Sequence, residues 1–443
     1  MSYAAALEIL HSMTPELFVV QENKKRKFSL DELRTLLSHL QNPEQKFPAV
    51  LIAGTNGKGS TASTLASILK ASGCRAGLYT SPHLERVNER IQICGAEIPD
   101  EDFGRIVLSI HSLARDLVSR EVLPHMPSFF ELLTATAFVW FSEQAVSIAV
   151  LEVGMGGRLD ATNVVDPLLS VITDISLDHM EWLGGSIAEI AREKAGILRR
   201  GKAMITLPQH PEANQAIGEV AESVQARGVS ATGFMPPFNL DPGKAYSVEF
   251  FGGEVQVEPV LSGSHQHRNL ALAICAASEL AEHHGFPITP QSISEGIRST
   301  SWPGRLEIFQ IGRQQWILDV AHNPAGAWAL KAGWKQIAKS TDRAGILFSC
   351  LKDKAVSEMA QILLPDFSRA AICPINSPRA ATLFRLSIAV QQTEVPMSVY
   401  DAPDTAVREL IHSPELETVV VAGSVYLVGE VRRILKQWKG EER

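Results

Sequence analysis

Apolar residues along the chain fall into short unbroken runs, each followed by a stretch in which they recur every three to four positions. Val50–Ala53 is such a run; Leu65, Ile68 and Leu69 line one face of the stretch after it, which Gly73 closes. A short apolar run bounded by turn residues reads as a strand covered on both faces, and the three-to-four spacing as a helix packed on it. The alternation continues with strands at Arg75–Tyr79, Ile91–Cys94, Ser147–Leu151 and Leu168–Ile175, and helices from Ile98 onward, over Phe129–Phe141 and over Ser186–Leu198. Strands alternating with helices predict a parallel, doubly wound sheet. Ala245–Val260 breaks the rhythm: its period-two alternation, interrupted at Gly252-Gly253, predicts a hairpin at the domain edge. Gly263–His284 is helical again, and Ser301-Trp-Pro-Gly-Arg305 reads as a linker. Beyond it, Leu306–Ile311, Trp316–Val320, Ile346–Cys350, Ala371–Pro374, Ser398–Asp401 and Thr418–Ala422 read as strands of a second, smaller α/β domain. At 443 residues, two domains are the expected organisation.

The loops that end these strands carry the candidate chemistry. Val50–Ala53 runs into Gly54-Thr-Asn-Gly-Lys58-Gly-Ser60 and then the helix. In such a turn, backbone N–H groups and the helix N-terminus face phosphate oxygens, and the lysine reaches the outer phosphates. The strict G-x-x-x-x-G-K-[ST] spacing is not met, since Gly59 follows the lysine, so an ordinary tight turn is the competing reading. Thr80–Leu84 and Glu152–Asn163 follow further strands, at the end of an open sheet where ligands bind. Glu152, beside Gly154, Gly156 and Gly157, is placed to hold Mg²⁺, against the alternative of a solvated loop acid. On composition, His179 is a helix-cap or core residue, and Lys194 a helix-surface lysine paired with Glu189 or Glu193.

Charge and cysteine content narrow the classes. Lys and Arg number 41 against 49 Asp and Glu, a net charge of −8 that argues against a general nucleic-acid or membrane-surface binder. The basic run Lys24–Lys27 reads as a solvated loop or as a contact to an anionic substrate. Five cysteines, none in a C-x-x-C pair, fit reduced thiols in a cytoplasmic protein better than disulfides or a thiolate zinc site. MSYAAALEILHSM reads as an amphipathic helix rather than a signal peptide, and no apolar run approaches the roughly 20 residues that span a bilayer.

Taken together and in order, GTNGKGS, YTSPHL, NERI, EVGMGGRLDATN, LDH, REKAGI, PGR and DVAHNP closely resemble the folylpolyglutamate synthase/dihydrofolate synthase family of the Mur ligase superfamily. The resemblance runs from about residue 50 to 326, with a weaker echo at Ala422-Gly-Ser424. It implies a P-loop-containing, parallel-sheet ATPase domain over residues 1–301, which binds ATP and folate. A smaller Rossmann-like α/β glutamate-ligase domain over 302–443 follows. It implies that ATP phosphorylates a substrate carboxylate and that the amine of L-glutamate attacks the acyl phosphate, giving amide, ADP and phosphate. Thr55, Asn56, Gly57, Lys58, Gly59 and Ser60 would cradle the phosphates, with Asn269, Arg305 and Asp319 as further ATP contacts. Ser81 and Glu152 would hold one Mg²⁺ and His179 a second, while Lys194 would act as a carbamate. Lys58, Lys194 and His322 are the implied catalytic residues, and His322 and Ser424 the glutamate contacts. Thr14, Ser128, Leu159, Asp160 and Ala161 fall where the dual-activity enzymes hold dihydropteroate, although Phe18–Ser29 is longer and more basic than that pattern. The expected partners are small molecules, with no nucleic acid and no membrane, and the expected state is a monomer. The rivals are a Mur-type ligase for another carboxylate, a P-loop switch acting through partners, and a dinucleotide-binding second domain. The first would carry an additional domain ahead of the loop at residue 54, the second a strict G-K-[ST], the third a G-x-G-x-x-G after a strand.

Overall fold

The computed structural model describes residues 2–13, 29–238, 240–241, 243–250 and 253–441. Thr14, the Lys24–Lys27 run and Gly252 lie outside the described residues. The first domain is organised around β1 (Ala49–Ala53), all of whose residues are buried. Its alternating side chains supply two cores. Val50 and Ile52 meet Leu65, Ile68 and Leu69 of the helix Lys58–Ala71, while Leu51 and Ala53 join Phe138 and Phe141 of the helix Phe129–Glu143. A strand covered on both sides needs apolar residues at every position, which is why it appears in the sequence as an unbroken run.

Around β1 the sheet adds β2 (Ala76–Tyr79), β3 (Ile91–Ile93), β4 (Ala96–Glu97), β5 (Ile148–Glu152), β6 (Leu169–Ile172), β7 (Ala203–Thr206) and β8 (Arg227–Ser230). The strand order is 4-3-2-5-1-6-7-8. β1 lies between β5 and β6, parallel to both, and β2, β7 and β8 extend the parallel set. The parallel expectation needs one correction: β3 runs antiparallel to β2 and β4 antiparallel to β3, since the loop over residues 80–90 and the tight turn at Cys94-Gly95 join them with no crossover helix. β6 also stops at Ile172, short of the expected Ile175, because the Asp174 carbonyl leaves the sheet to accept the N–H groups of Thr55 (2.9 Å) and Asn56 (3.2 Å). The hairpin β9 (Tyr246–Phe250) and β10 (Gly253–Val257) forms its own two-stranded sheet over the core of Val50 and Ile52.

The second domain contains β11 (Glu307–Ile311), β12 (Gln314–Leu318), β13 (Ala344–Phe348), β14 (Arg369–Ile372), β15 (Met397–Val399) and β16 (Thr418–Ala422), ordered 11-12-16-13-14-15. Only β11 is antiparallel to its neighbour. Helices cover both faces, and Trp334 stacks on Phe367 with ring centroids 4.6 Å apart. The final helix, Val425–Glu441, lies against the loop after β2 so closely that a Cβ on Gly429 would stand 2.0 Å from the Leu84 carbonyl oxygen. There Arg432 bridges Glu85 of the first domain and Glu307 of the second, and Lys436 reaches Glu85 at 2.7 Å. Among the described residues no helix is long and apolar enough to cross a membrane.

Candidate functional site

The C-terminal ends of β1, β2, β5 and β6 open into a cavity of about 1410 Å³ whose far wall comes from the second domain. Every candidate residue named above, apart from Thr14, lines it. Gly57 adopts the left-handed φ of +89°, and a Cβ there would stand 2.0 Å from Asn269 Oδ1. The turn is thereby fixed against the helix His265–His284, and the N-terminus of the helix Lys58–Ala71 is left facing the cavity. Thr55 and Asn56 anchor the loop from the other side, their side chains donating to the Ser176 carbonyl and hydroxyl, each at 3.1 Å. Lys58 donates to the Thr55 carbonyl at 3.2 Å. Gly59 and Ser60 continue the first helical turn, and the Asn269 side chain donates to Gln266 at 2.8 Å.

Glu152, the last residue of β5, is buried, and its Oε2 accepts the Ser81 N–H at 3.1 Å. Burial pushes its carboxyl upward in pKa, against the pull of Lys58, the Ser81 N–H and Arg305. A carboxylate and a neighbouring hydroxyl are the oxygen donors that suit Mg²⁺. Among the described residues no three or more His, Cys, Asp and Glu side chains converge as a complete metal cage, so a cation here would take further oxygens from a ligand or water. Arg305 lines the same space, and among the described residues its buried Nε has no hydrogen-bond partner. Leaving such a donor unmatched is costly, and an anionic ligand would satisfy it. Asp319, by contrast, accepts the N–H groups of Leu306 (3.0 Å) and Ala321 (2.8 Å), bracketing the strand end that carries His322.

Lys194 is not on the helix surface. It is only 5% exposed, its Nζ donates to the Gly54 carbonyl at 2.7 Å, and burial with Lys58 nearby pulls its pKa down to about 7. Glu193 instead pairs with Arg158. His179 sits at the N-cap of the short helix Met180–Leu183 with a left-handed φ of +52°, and burial and then Lys354 hold it down to about 3. Beside it lies a residue that sequence reasoning missed. Asp178 accepts Lys354 Nζ at 2.5 Å and Asn323 Nδ2 at 3.3 Å, with His322 Nε2 3.7 Å away. Asn323 also donates to Asn56 Oδ1 at 3.0 Å, so the second domain meets both the phosphate-loop segment and the Asp178 segment. Burial alone would raise the Asp178 carboxyl; Lys354 and the two histidines overcome that and hold it below the usual carboxylate range. His322 lies near 4 through burial and Lys354, so it is neutral. Its Nδ1 is 2.9 Å from the Val320 carbonyl, which can only accept, so Nδ1 carries the proton and Nε2 the lone pair.

Other candidates serve the scaffold as well as the cavity. Ser128 caps the helix Phe129–Glu143 in a reciprocal box with Glu131. Asp160 accepts from the backbone of Met155 and Thr162 and from the Thr162 hydroxyl, fixing the loop of Leu159 and Ala161. Ser424 accepts the Tyr426 N–H at 3.2 Å where the last helix begins. His83 and Arg90, from the TSPHL and NERI stretches, also line the cavity, with Arg90 Nε 3.0 Å from His83 Nδ1.

Comparison with known proteins agrees with this architecture. Residues 125–277 match the Mur ligase middle domain, and residues 304–425 match the glutamate ligase domain of Mur ligases. A dihydrofolate synthase/folylpolyglutamate synthase of Bacillus subtilis (strain 168) is 36% identical over 419 residues, covering 93% of this chain and 95% of that protein. A Mycobacterium tuberculosis folylpolyglutamate synthase, solved with ADP and AMPPCP, superposes with a TM-score of 0.85 and 30% identity over 98% of this chain and 99% of its own. The Escherichia coli FolC protein in complex with DHPP and ADP gives a TM-score of 0.84 and 29% identity, covering 99% of each chain.

Proposed function

The chain belongs to the dihydrofolate synthase/folylpolyglutamate synthase family of Mur ligases, and on that premise we propose that it joins L-glutamate to folate carboxylates with ATP in the cavity between its domains. The observation that carries the reading is the convergence there of the open helix N-terminus at Gly57, Lys58 and the unmatched Nε of Arg305, a set of donors suited to a polyanion. In this reading Thr55–Ser60 cradle the phosphates while Asn269, Arg305 and Asp319 bound the nucleotide pocket. Ser81 and Glu152 would hold one Mg²⁺ and His179 a second; bound there, the ions would neutralise charge on the transferring phosphoryl group. The substrate carboxylate displaces ADP from the γ-phosphorus, and the glutamate amine then displaces phosphate. The Nε2 lone pair of His322 is the acceptor for the amine proton, and Ser424 lies on the same wall of the cavity.

Lys194 acts as a carbamate in this proposal. Carbamate formation requires a neutral amine to attack CO₂ and lose a proton, and a lysine lowered to about 7 supplies one at neutral pH. The product is an anion whose oxygens suit Mg²⁺ and its waters, where an ammonium would repel the metals. Ser128, Leu159, Asp160 and Ala161 bound the pterin end, with Thr14 assigned there on sequence alone. That assignment extends the activity to dihydropteroate, as the relative named dihydrofolate synthase/folylpolyglutamate synthase supports. We place the domain boundary at 301/302 and the enzyme in the cytoplasm as a monomer, since its five cysteines are free thiols and one chain supplies both cavity walls. The test is ADP release by the purified protein with ATP, Mg²⁺ and glutamate, offering tetrahydrofolate and dihydropteroate separately. Release with neither refutes the ligase reading, and release with tetrahydrofolate alone removes the second activity.

A further inference from the structure

We infer that His83 donates a hydrogen bond from Nε2 to the acyl oxygen of the carboxylate being activated, held in the required tautomer by Arg90. The inference rests on the ligase reading above. A guanidinium N–H can only donate, and Arg90 Nε lies 3.0 Å from His83 Nδ1. Nδ1 must therefore present its lone pair, which leaves the proton of the neutral ring on Nε2. Among the described residues the imidazole makes no other hydrogen bond, and the ring lines the cavity. A fixed donor with no protein acceptor, facing a ligand space, is the arrangement that stabilises charge developing on a substrate oxygen.

The surrounding loop holds the donor in place without help from a ligand. Thr80 N–H donates to the Arg90 carbonyl at 3.0 Å and closes the base of the loop. The Glu89 carboxylate accepts the N–H groups of Leu84 (2.7 Å), Glu85 (3.0 Å) and Arg86 (2.9 Å), so three successive amides are tied to one side chain. The Arg90 guanidinium lies over the Phe129 ring, 5.2 Å from its centroid. His83 thus sits between Ser81, whose N–H meets Glu152 at the phosphoryl end, and Phe129, which starts the helix capped by Ser128 at the pterin end. The carboxyl carbon, one of whose oxygens is phosphorylated before the amine attacks, has to lie between those ends. When the amine adds to it, the carbonyl electron pair moves onto the acyl oxygen, and it returns as phosphate leaves. His83 keeps its proton throughout; its hydrogen bond only strengthens as the oxygen becomes negative.

The alternative is that His83 merely anchors Arg90. One measurement tests the tautomer that both readings share, and a second separates them. Long-range ¹H–¹⁵N correlation on the unliganded protein, with His83 assigned by difference against His83→Gln, should show Nε2 protonated and Nδ1 bare; protonated Nδ1 overturns the proposal. In steady-state kinetics His83→Leu should lower kcat about 100-fold, with ATP and folate Kd values within about threefold of the parent. His83→Gln, which can accept from Arg90 and still donate, should recover about tenfold of that loss. A kcat near that of the parent in His83→Leu, or a loss that appears wholly in folate or ATP Kd, overturns the catalytic role. If the unaltered protein turns over no ATP with any folate and glutamate, the ligase reading fails instead, and the nitrogen spectrum still decides the tautomer.

Discussion

The two walls of the cavity are built on opposite principles. On one wall, around the phosphate loop, the polar groups are left wanting: among the described residues Arg305 Nε is buried without a hydrogen-bond partner, and Lys58 donates only to a loop carbonyl. On the other, at the seam of the two domains, they are crowded: Asp178 of the first domain takes Lys354 and Asn323 with His322 close by, all from the second. A wanting wall awaits a charged ligand, since an unmet buried donor is costly. A crowded wall has already met its needs within the protein, and what it fixes is the position of one domain against the other. The difference teaches that in this fold binding and closure draw on largely different residues, with Asn56 and His322 standing where the two meet.

Breaking the crowded wall should have the largest effect. Asp178→Ala leaves the buried Lys354 ammonium without its counter-charge, and removing one member of such a pair costs about 3–5 kcal/mol. Opening the domains lets water reach Lys354, so we expect a larger radius of gyration in solution scattering and faster proteolysis near residue 303. Lys354→Met added to the same variant should restore compactness; scattering that matches the parent in the single variant would reject the bridge as the closing contact.

Emptying the wanting wall should spare the fold and strike turnover. Lys58→Ala removes a charge-assisted contact made to the shifting phosphoryl charge, worth about 3–4 kcal/mol or two to three decades in kcat. Its melting temperature should stay near that of the parent, and a rate near the parent's would sink the phosphate-loop assignment. Lys194→Arg sharpens the comparison, since it keeps charge and reach but cannot become a carbamate. It should lose activity almost as fully as Lys194→Ala, whereas a lysine acting as a cation would be rescued by Arg. The sign with pH follows from the lowered pKa. Above about 7 the folded amine is neutral and reactive; below it the ammonium forms, so parent activity should fall on acidification through about 7 and rise again with added bicarbonate. The smallest effect belongs to the scaffold: Ser128→Ala removes a helix cap worth about 1 kcal/mol. It should lower the melting temperature by a few degrees and raise the folate KM at the pterin end modestly, with little change in kcat; a melting temperature equal to the parent's would remove the cap's contribution.

Much of this was legible where chemistry and chain order coincide. Val50–Ala53 with Gly54–Ser60, and Ser147–Leu151 with Glu152, are each one contiguous strand and loop, so the residue types alone announce them. The short β8, mostly exposed and containing Gly228, carries no apolar run, and pairing with β7 rather than propensity makes it a strand. Lys194 left a faint trace: it stands four residues after Ile190 and next to Ala195, on the buried face of its helix. Asp178 stands in the LDH motif, but its pairing with Lys354 left no trace, since the contact spans 176 residues and depends on how two domains meet. Thr14 lies outside the described residues, so the N-terminal part of the pterin assignment rests on sequence.

The contact between the last helix and the loop after β2 carries a consequence in terms of ionic strength. Lys436 of that cluster is 46% exposed, so its attraction to Glu85 is screened as salt rises. The Lys354–Asp178 bridge, with side chains 6% and 9% exposed, is screened much less. Salt therefore weakens the Lys436 arm of one interdomain contact more than it weakens the bridge beside the cavity. At high ionic strength the domains stay tethered beside the cavity while the end of the molecule near residue 436 gains freedom.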